Sequence, residues 1–150
     1  MLRQQSAGVW EEFDVEELPG KVMGIVGYGD IGHAVAARAR DFGMRVIAVR
    51  RHPEIASGDS LAEEVLPVSR LRELMARSDY VTVAAPLTAE TRGLIGEAEL
   101  GAMKSAAVLI NIGRGPVIVE DALLRALEER WIRGAALDVF DHEPLPEGHP

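Results

Sequence analysis

The chain has no cysteine, which removes disulfide staples and thiolate metal ligands together. Its four histidines, His33, His52, His142 and His149, lack ligand-like spacing, so no metal site is expected. Positive charge is also scarce: 16 basic against 24 acidic side chains leave a net charge of −8. A duplex-binding surface needs clustered Lys and Arg to offset phosphate, so nucleic acid is not an expected partner. No apolar run approaches the ~18 residues of a membrane span. The opening MLRQQSAGVWEEF is polar and charged where a secretory signal carries an apolar stretch. These absences leave a soluble, cytoplasmic-type protein with no membrane partner. Internal repeats and low-complexity tracts are missing too.

What is present suits one domain. The 150 residues are 47% hydrophobic, enough for one sizeable core and too few for two. From Val22 onward, short β-type runs alternate with amphipathic stretches: VMGIV, DIGHAVAARARDF, RVIAV, SRLRELMARS, YVTVA, AVLIN, EDALLRALEERW and AALDV. Strands spaced by helices predict a parallel sheet, and their unbroken apolar character predicts cover on both faces. The expected fold is α/β: a Rossmann-type doubly wound parallel sheet with helices on both faces, in three layers. In the first long helix Ile31, Val35, Ala39 and Phe42 form the expected sheet-facing stripe, with Gly43 as a left-handed cap. Arg51 to Asp59 and the tail EPLPEGHP read as irregular. Residues 1–17 read as an N-terminal arm and 18–150 as the domain. Trp10, Trp131 and Phe42 are expected in the core or an interface.

Gly27, Gly29 and Gly32 form G-Y-G-D-I-G between the strand ending at Val26 and the helix containing Ile31. A dinucleotide site needs this placement. The first glycine allows a tight turn, the second admits the pyrophosphate close to backbone, and the third lets helix and strand approach. The helix N-terminus then offers free N–H groups and a favourable dipole. A ligand-free glycine turn or an S-adenosylmethionine enzyme are the competing readings.

The end of the second strand ordinarily holds an acid that bonds the ribose 2′-hydroxyl of NAD. Here it holds Arg50, followed by Arg51. Two guanidinium groups can pair with a 2′-phosphate, so NADP is preferred over NAD. The bland alternative is two solvated arginines in a chain that uses Arg far more than Lys.

The segments SDYVTVAAPLTAETRGLIG and MKSAAVLINIGRGPVIVEDALLRALEERWIRGAALDVFDHEPLP closely resemble the D-isomer-specific 2-hydroxyacid dehydrogenase family, from about Trp10 to Pro150. Three motifs occur in the family's order. The resemblance implies that Arg114, in Asn111-Ile112-Gly113-Arg114-Gly115, holds the substrate carboxylate and polarises the carbonyl. A guanidinium just past a strand's C-terminal end suits that task. It also implies that Asp138 contacts the nicotinamide carboxamide and that Glu143, before Pro144, pairs with a catalytic histidine, raising its pKa for proton donation. Neither His142 nor His149 occupies the histidine's motif position. Cofactor contacts are implied for Asp30 and Ile31 under the pyrophosphate, Ala85 and Pro86 near the adenosine ribose, Thr91, and Ile112.

Complete members of that family add a substrate domain. The resemblance therefore implies a C-terminally truncated dinucleotide-binding domain without the substrate domain, binding a nicotinamide dinucleotide without turnover. The inferred full-length reaction moves a hydride between that cofactor and a 2-keto or 2-hydroxy acid. Family members usually dimerise through this domain, and the arm's Val9, Trp10 and Phe13 either cross to a second copy or fold back on their own sheet. A dinucleotide-sensing interaction module, as in the corepressors sharing this fold, is the alternative function.

Overall fold

Runs rich in Val and Ile resist the helix and fill a pleated layer, and they do so here. The computed structural model describes residues 2–10, 15–56 and 58–149. Its strands are β1 (Val22–Val26), β2 (Arg45–Val49), β3 (Glu64–Leu66), β4 (Tyr80–Val83), β5 (Val108–Asn111) and β6 (Gly134–Leu137). They form one sheet in the order β3-β2-β1-β4-β5-β6, with every neighbouring pair parallel. Helices are α1 (Leu2–Ser6), α2 (Asp30–Asp41), α3 (Leu71–Arg77), α4 (Glu97–Leu100) and α5 (Glu120–Glu128).

Strand side chains alternate between faces, so the sheet carries two cores. Val46 and Ala48 of β2 join Ile25 of β1 and Ala36 and Ala39 of α2 on one face. Ile47 and Val49 point the other way, into a core with Leu74 of α3, Leu100 of α4 and Leu123 of α5. This is the three-layer, doubly wound arrangement the alternating pattern predicts.

Three features depart from the sequence expectation. Strand β3 has no counterpart in the sequence reading; its three residues have no periodicity of their own and pair with β2. Within RHPEIASGD, Pro53–Ala56 form a single 3-10 turn. The sheet-facing stripe of α2 is Gly32, Ala36 and Ala39, all buried, with Val35 packed beside them, so the expected Val35 and Ala39 hold their places whereas Ile31 and Phe42 are 58% and 63% exposed. Small residues win this face because α2 lies tightly against β1: a Cβ on Gly32 would sit 2.4 Å from the Gly27 carbonyl oxygen. Gly43 does cap α2 with φ +74°.

The arm contains α1, then exposed Val9, Trp10 and Val15; Phe13 lies outside the described residues. Trp131 packs beside the core, but Trp10 does not. Glu16 ties the arm's end to the sheet, accepting from Tyr80 Oη (2.9 Å) and Arg133 Nη1 (2.7 Å) and pairing with Lys21 Nζ (2.7 Å). Among the described residues no helix is long and apolar enough to cross a membrane.

Candidate dinucleotide site

Because all six strands run the same way, their C-terminal ends make one edge. The register pairs Val26 with both Val49 and Val83, Val83 with Asn111, and Asn111 with Leu137. The next residues of these five strands are therefore Gly27, Arg50, Ala84, Ile112 and Asp138, set in a row. The chain order reverses between β1 and β4, and open α/β sheets bind ligands at that crevice.

The glycine turn is built into this edge. Gly27 and Tyr28 N–H both donate to the Val49 carbonyl, at 3.0 and 3.3 Å. Gly27 has φ +96°, and a Cβ there would lie 2.5 Å from the Ala85 nitrogen. No other residue fits. Gly29, by contrast, has nothing within 4 Å of a Cβ position, so its backbone faces open space. Gly29 is the N-cap of α2 and no side chain caps that helix, so its leading amides remain available. Asp30 and Ile31 are exposed in the first turn. This suits the phosphates of an elongated ligand.

Beside the turn lies a cleft of about 420 Å³ lined by Gly27, Gly29, Arg50, Arg51, Ala85-flanking Ala84 and Pro86, and Thr91, with Ala85 itself contributing. The sequence-predicted residues for the ribose end thus meet in one place. Neither Arg50 nor Arg51 has a carboxylate partner within 4 Å among the described residues. Thr91 works on the wall itself: its hydroxyl donates to the Pro86 carbonyl at 2.6 Å and accepts the Thr88 N–H at 2.8 Å.

Tyr28 and Asp59 were not singled out from the sequence. Tyr28 is 3% exposed, and its hydroxyl donates to Asp59 Oδ2 at 2.9 Å. Burial, then the Asp59 carboxylate, push this phenol well above its ordinary pKa, so it stays a donor. Burial alone would raise Asp59, but the Leu61 N–H, the Tyr28 hydroxyl and nearby His33 outweigh it and hold the carboxyl low. The two residues stand 31 positions apart, which no local motif reveals.

The loops after β5 and β6 hold the remaining candidates. Buried Asn111 folds the first one: its Oδ1 accepts the Gly113 N–H and its Nδ2 donates to the Arg114 carbonyl, both at 3.1 Å. Ile112 N–H donates to Val83. Arg114 is exposed, and its Nη1 donates to the Gly113 carbonyl at 2.7 Å. A Cβ on Gly115 would fall 2.0 Å from the Phe140 carbonyl carbon, so the two loops meet backbone against backbone. Asp138 is exposed, its N–H on the Asn111 carbonyl at 3.0 Å. Glu143 Oε1 accepts the Phe140 N–H at 2.9 Å, which closes its own turn. His142 lies 3.4 Å from Asp141, and His149 lies 3.2 Å from Glu120. Asn111 was visible in its motif, but its buried side chain, 1% exposed, marks the role.

A parallel sheet with a glycine turn and an open helix N-terminus at its switch point defines a dinucleotide-binding domain. The sequence profile described as "D-isomer specific 2-hydroxyacid dehydrogenase, NAD binding domain" matches residues 1–150. The chain belongs to this family. Glyoxylate reductase from Thermococcus gammatolerans is 50% identical over 125 residues, covering 83% of this chain and 36% of that protein. Its counterpart from Pyrococcus furiosus is 47% identical over 128 residues, 85% of this chain and 37% of that one. Among solved structures, a family member from Aeromonas salmonicida superposes with TM-score 0.91 at 33% identity, covering 99% of this chain and 47% of that one. A Xanthobacter autotrophicus relative, in complex with NADPH and MES, gives TM-score 0.88 at 35% identity, with 99% and 46% covered. The chain thus spans little more than a third of these curated relatives and less than half of these solved chains.

Proposed function

We propose that this domain binds NADP(H) in preference to NAD(H), as the cofactor-holding part of an enzyme acting on a 2-keto or 2-hydroxy acid. The carrying observation is at the end of β2. Arg50 occupies the acid's usual place, borders the same cleft as Gly27 and Gly29, and has no carboxylate partner among the described residues. A guanidinium so placed is free to take a 2′-phosphate through paired charge-assisted bonds. The NADPH named with the Xanthobacter relative supports the reading.

In this reading Gly27 to Gly32, with Asp30 and Ile31, cradle the pyrophosphate. Ala85, Pro86 and Thr91 border the adenosine ribose, and Ile112 and Asp138 face the nicotinamide end. A nicotinamide cofactor supplies or accepts the hydride. Arg114 turns its planar donors on the substrate carboxylate and carbonyl, where developing negative charge is stabilised. Glu143, kept in place by the Phe140 amide, has its second oxygen free to pair with an imidazole and hold its proton. The exposed apolar arm docks on a second copy of the chain, a homodimer contact.

Calorimetric titration with NADPH and NADH, before and after Arg50→Asp, tests the cofactor assignment. NADPH is expected to bind at least about tenfold more tightly than NADH, and the substitution to reverse that order. Equal affinities in the unchanged chain would end the phosphate reading, and binding of neither would end the dinucleotide reading. A complete protein that binds cofactor but leaves 2-keto acids unreduced would return the sensing module instead.

A further inference from the structure

We infer that the Tyr28–Asp59 hydrogen bond is a specificity latch: it fixes the loop bearing Arg50 and Arg51 against the glycine turn, and so sets the preference for a 2′-phosphorylated dinucleotide. This rests on the NADP reading above and adds two positioning residues to it.

The glycine turn carries one side chain between Gly27 and Gly29, and that side chain is Tyr28. A tyrosine at a surface turn ordinarily leaves its hydroxyl in water, yet this one is buried and spends its proton on Asp59. Asp59 is held from three directions. Its Oδ2 receives Tyr28 and lies 3.3 Å from His33 Nε2, on the first turn of α2, while its Oδ1 accepts the Leu61 N–H at 2.7 Å. No buried polar side-chain atom among the described residues lacks a partner, so the junction is complete.

What the latch holds is the stretch following β2. At its start Arg50 N–H donates to the Leu66 carbonyl at 3.1 Å. Beyond that come Arg51, His52 and the single 3-10 turn, with no strand or long helix to stiffen them. Asp59 is the far anchor, and it anchors the stretch to the phosphate cradle itself. Tyr28, Gly29 and Arg50 border both the main cleft and an adjoining space of about 480 Å³ that also contains His33 and Asp59. Cradle and arginine loop are thereby joined as one wall.

The Val49 carbonyl holds the glycine turn by itself, so what the latch adds is order in the arginine loop, which serves only a ligand that uses the arginines. Two long side chains on a loose loop must be ordered on binding, which costs affinity for a phosphate they grip. A dinucleotide lacking that phosphate loses little.

The test is titration of the whole chain with NADPH and NADH, as unchanged protein, Arg50→Ala, Tyr28→Phe, Asp59→Ala and the Tyr28→Phe/Asp59→Ala double variant. Tyr28→Phe is expected to weaken NADPH roughly tenfold while NADH stays within about twofold. The double variant is expected to match Asp59→Ala, because one latch can be lost only once. Equal weakening of both cofactors would make Tyr28 a merely structural support and overturn the inference, as would additive losses in the double variant. A preference for NADPH that vanishes in Arg50→Ala but survives Tyr28→Phe overturns the latch alone. A preference absent from the unchanged chain, or surviving Arg50→Ala, removes the arginine reading and the latch with it.

Discussion

At the scale of single residues the site separates two demands that glycines meet. Gly32 is demanded by the fold: a Cβ there meets the Gly27 carbonyl oxygen at 2.4 Å, and backbone cannot step aside. Gly29 is not demanded by the fold, because its φ of −103° suits any residue and a Cβ would touch nothing; in the proposed reading it is the pyrophosphate that needs a glycine there. Gly32→Ala should therefore cost about 1–3 kcal/mol in urea unfolding. Gly29→Ala should cost under about 1 kcal/mol yet weaken NADPH binding at least about tenfold by holding the pyrophosphate off the backbone. Equal binding by Gly29→Ala and the unchanged chain would place the phosphates elsewhere. Both glycines were legible in the sequence because turn, helix start and strand end are contiguous there. Tyr28 was not, since its partner is set by the folding of a distant loop. Asn111 was seen as part of a motif, but its two hydrogen bonds depend on the loop's path after β5.

At the scale of elements, periodicity disclosed five of the six strands and the three longer α-helices, α2, α3 and α5. It missed β3, whose Glu-Val-Leu becomes a strand only because β2 offers a free edge. It placed Val35 and Ala39 of α2 correctly but added Ile31 and Phe42 to the buried stripe, since hydrophobic size favours them whereas close packing favours Gly32 and the alanines. The arm's attachment is a further element-scale result. The Glu16 carboxyl is held down to about 2 by Lys21 first, then Arg133 and Tyr80. A carboxylate with a depressed folded-state pKa stabilises the fold above its unfolded value of 4.5 and loses that contribution as pH falls from there towards 2. Thermal unfolding of the unchanged chain and Glu16→Gln should differ at neutral pH and converge in acid. A difference undiminished at about pH 2 would show that the charge is not what anchors the arm. The groups are exposed, so added salt should narrow the difference as well.

At the scale of the whole molecule, Val9 and Trp10 are 54% and 93% exposed, so the arm does not fold these residues back onto its own sheet. Covering them is the expected work of a second copy. Light scattering at micromolar concentration should give twice the 16.2 kDa chain mass, and Trp10→Ala should shift it towards one. A single-chain mass for the unchanged protein removes the dimer. The molecule's layout also bears on its history. Arg50 stands one residue beyond the last paired position of β2, its backbone amide engaged and its guanidinium without a carboxylate partner among the described residues. Exchanging that side chain disturbs neither face of the sheet nor any ion pair among the described residues. In the proposed reading of Arg50, a change of dinucleotide preference can therefore be acquired without approaching the stability threshold that purges most substitutions.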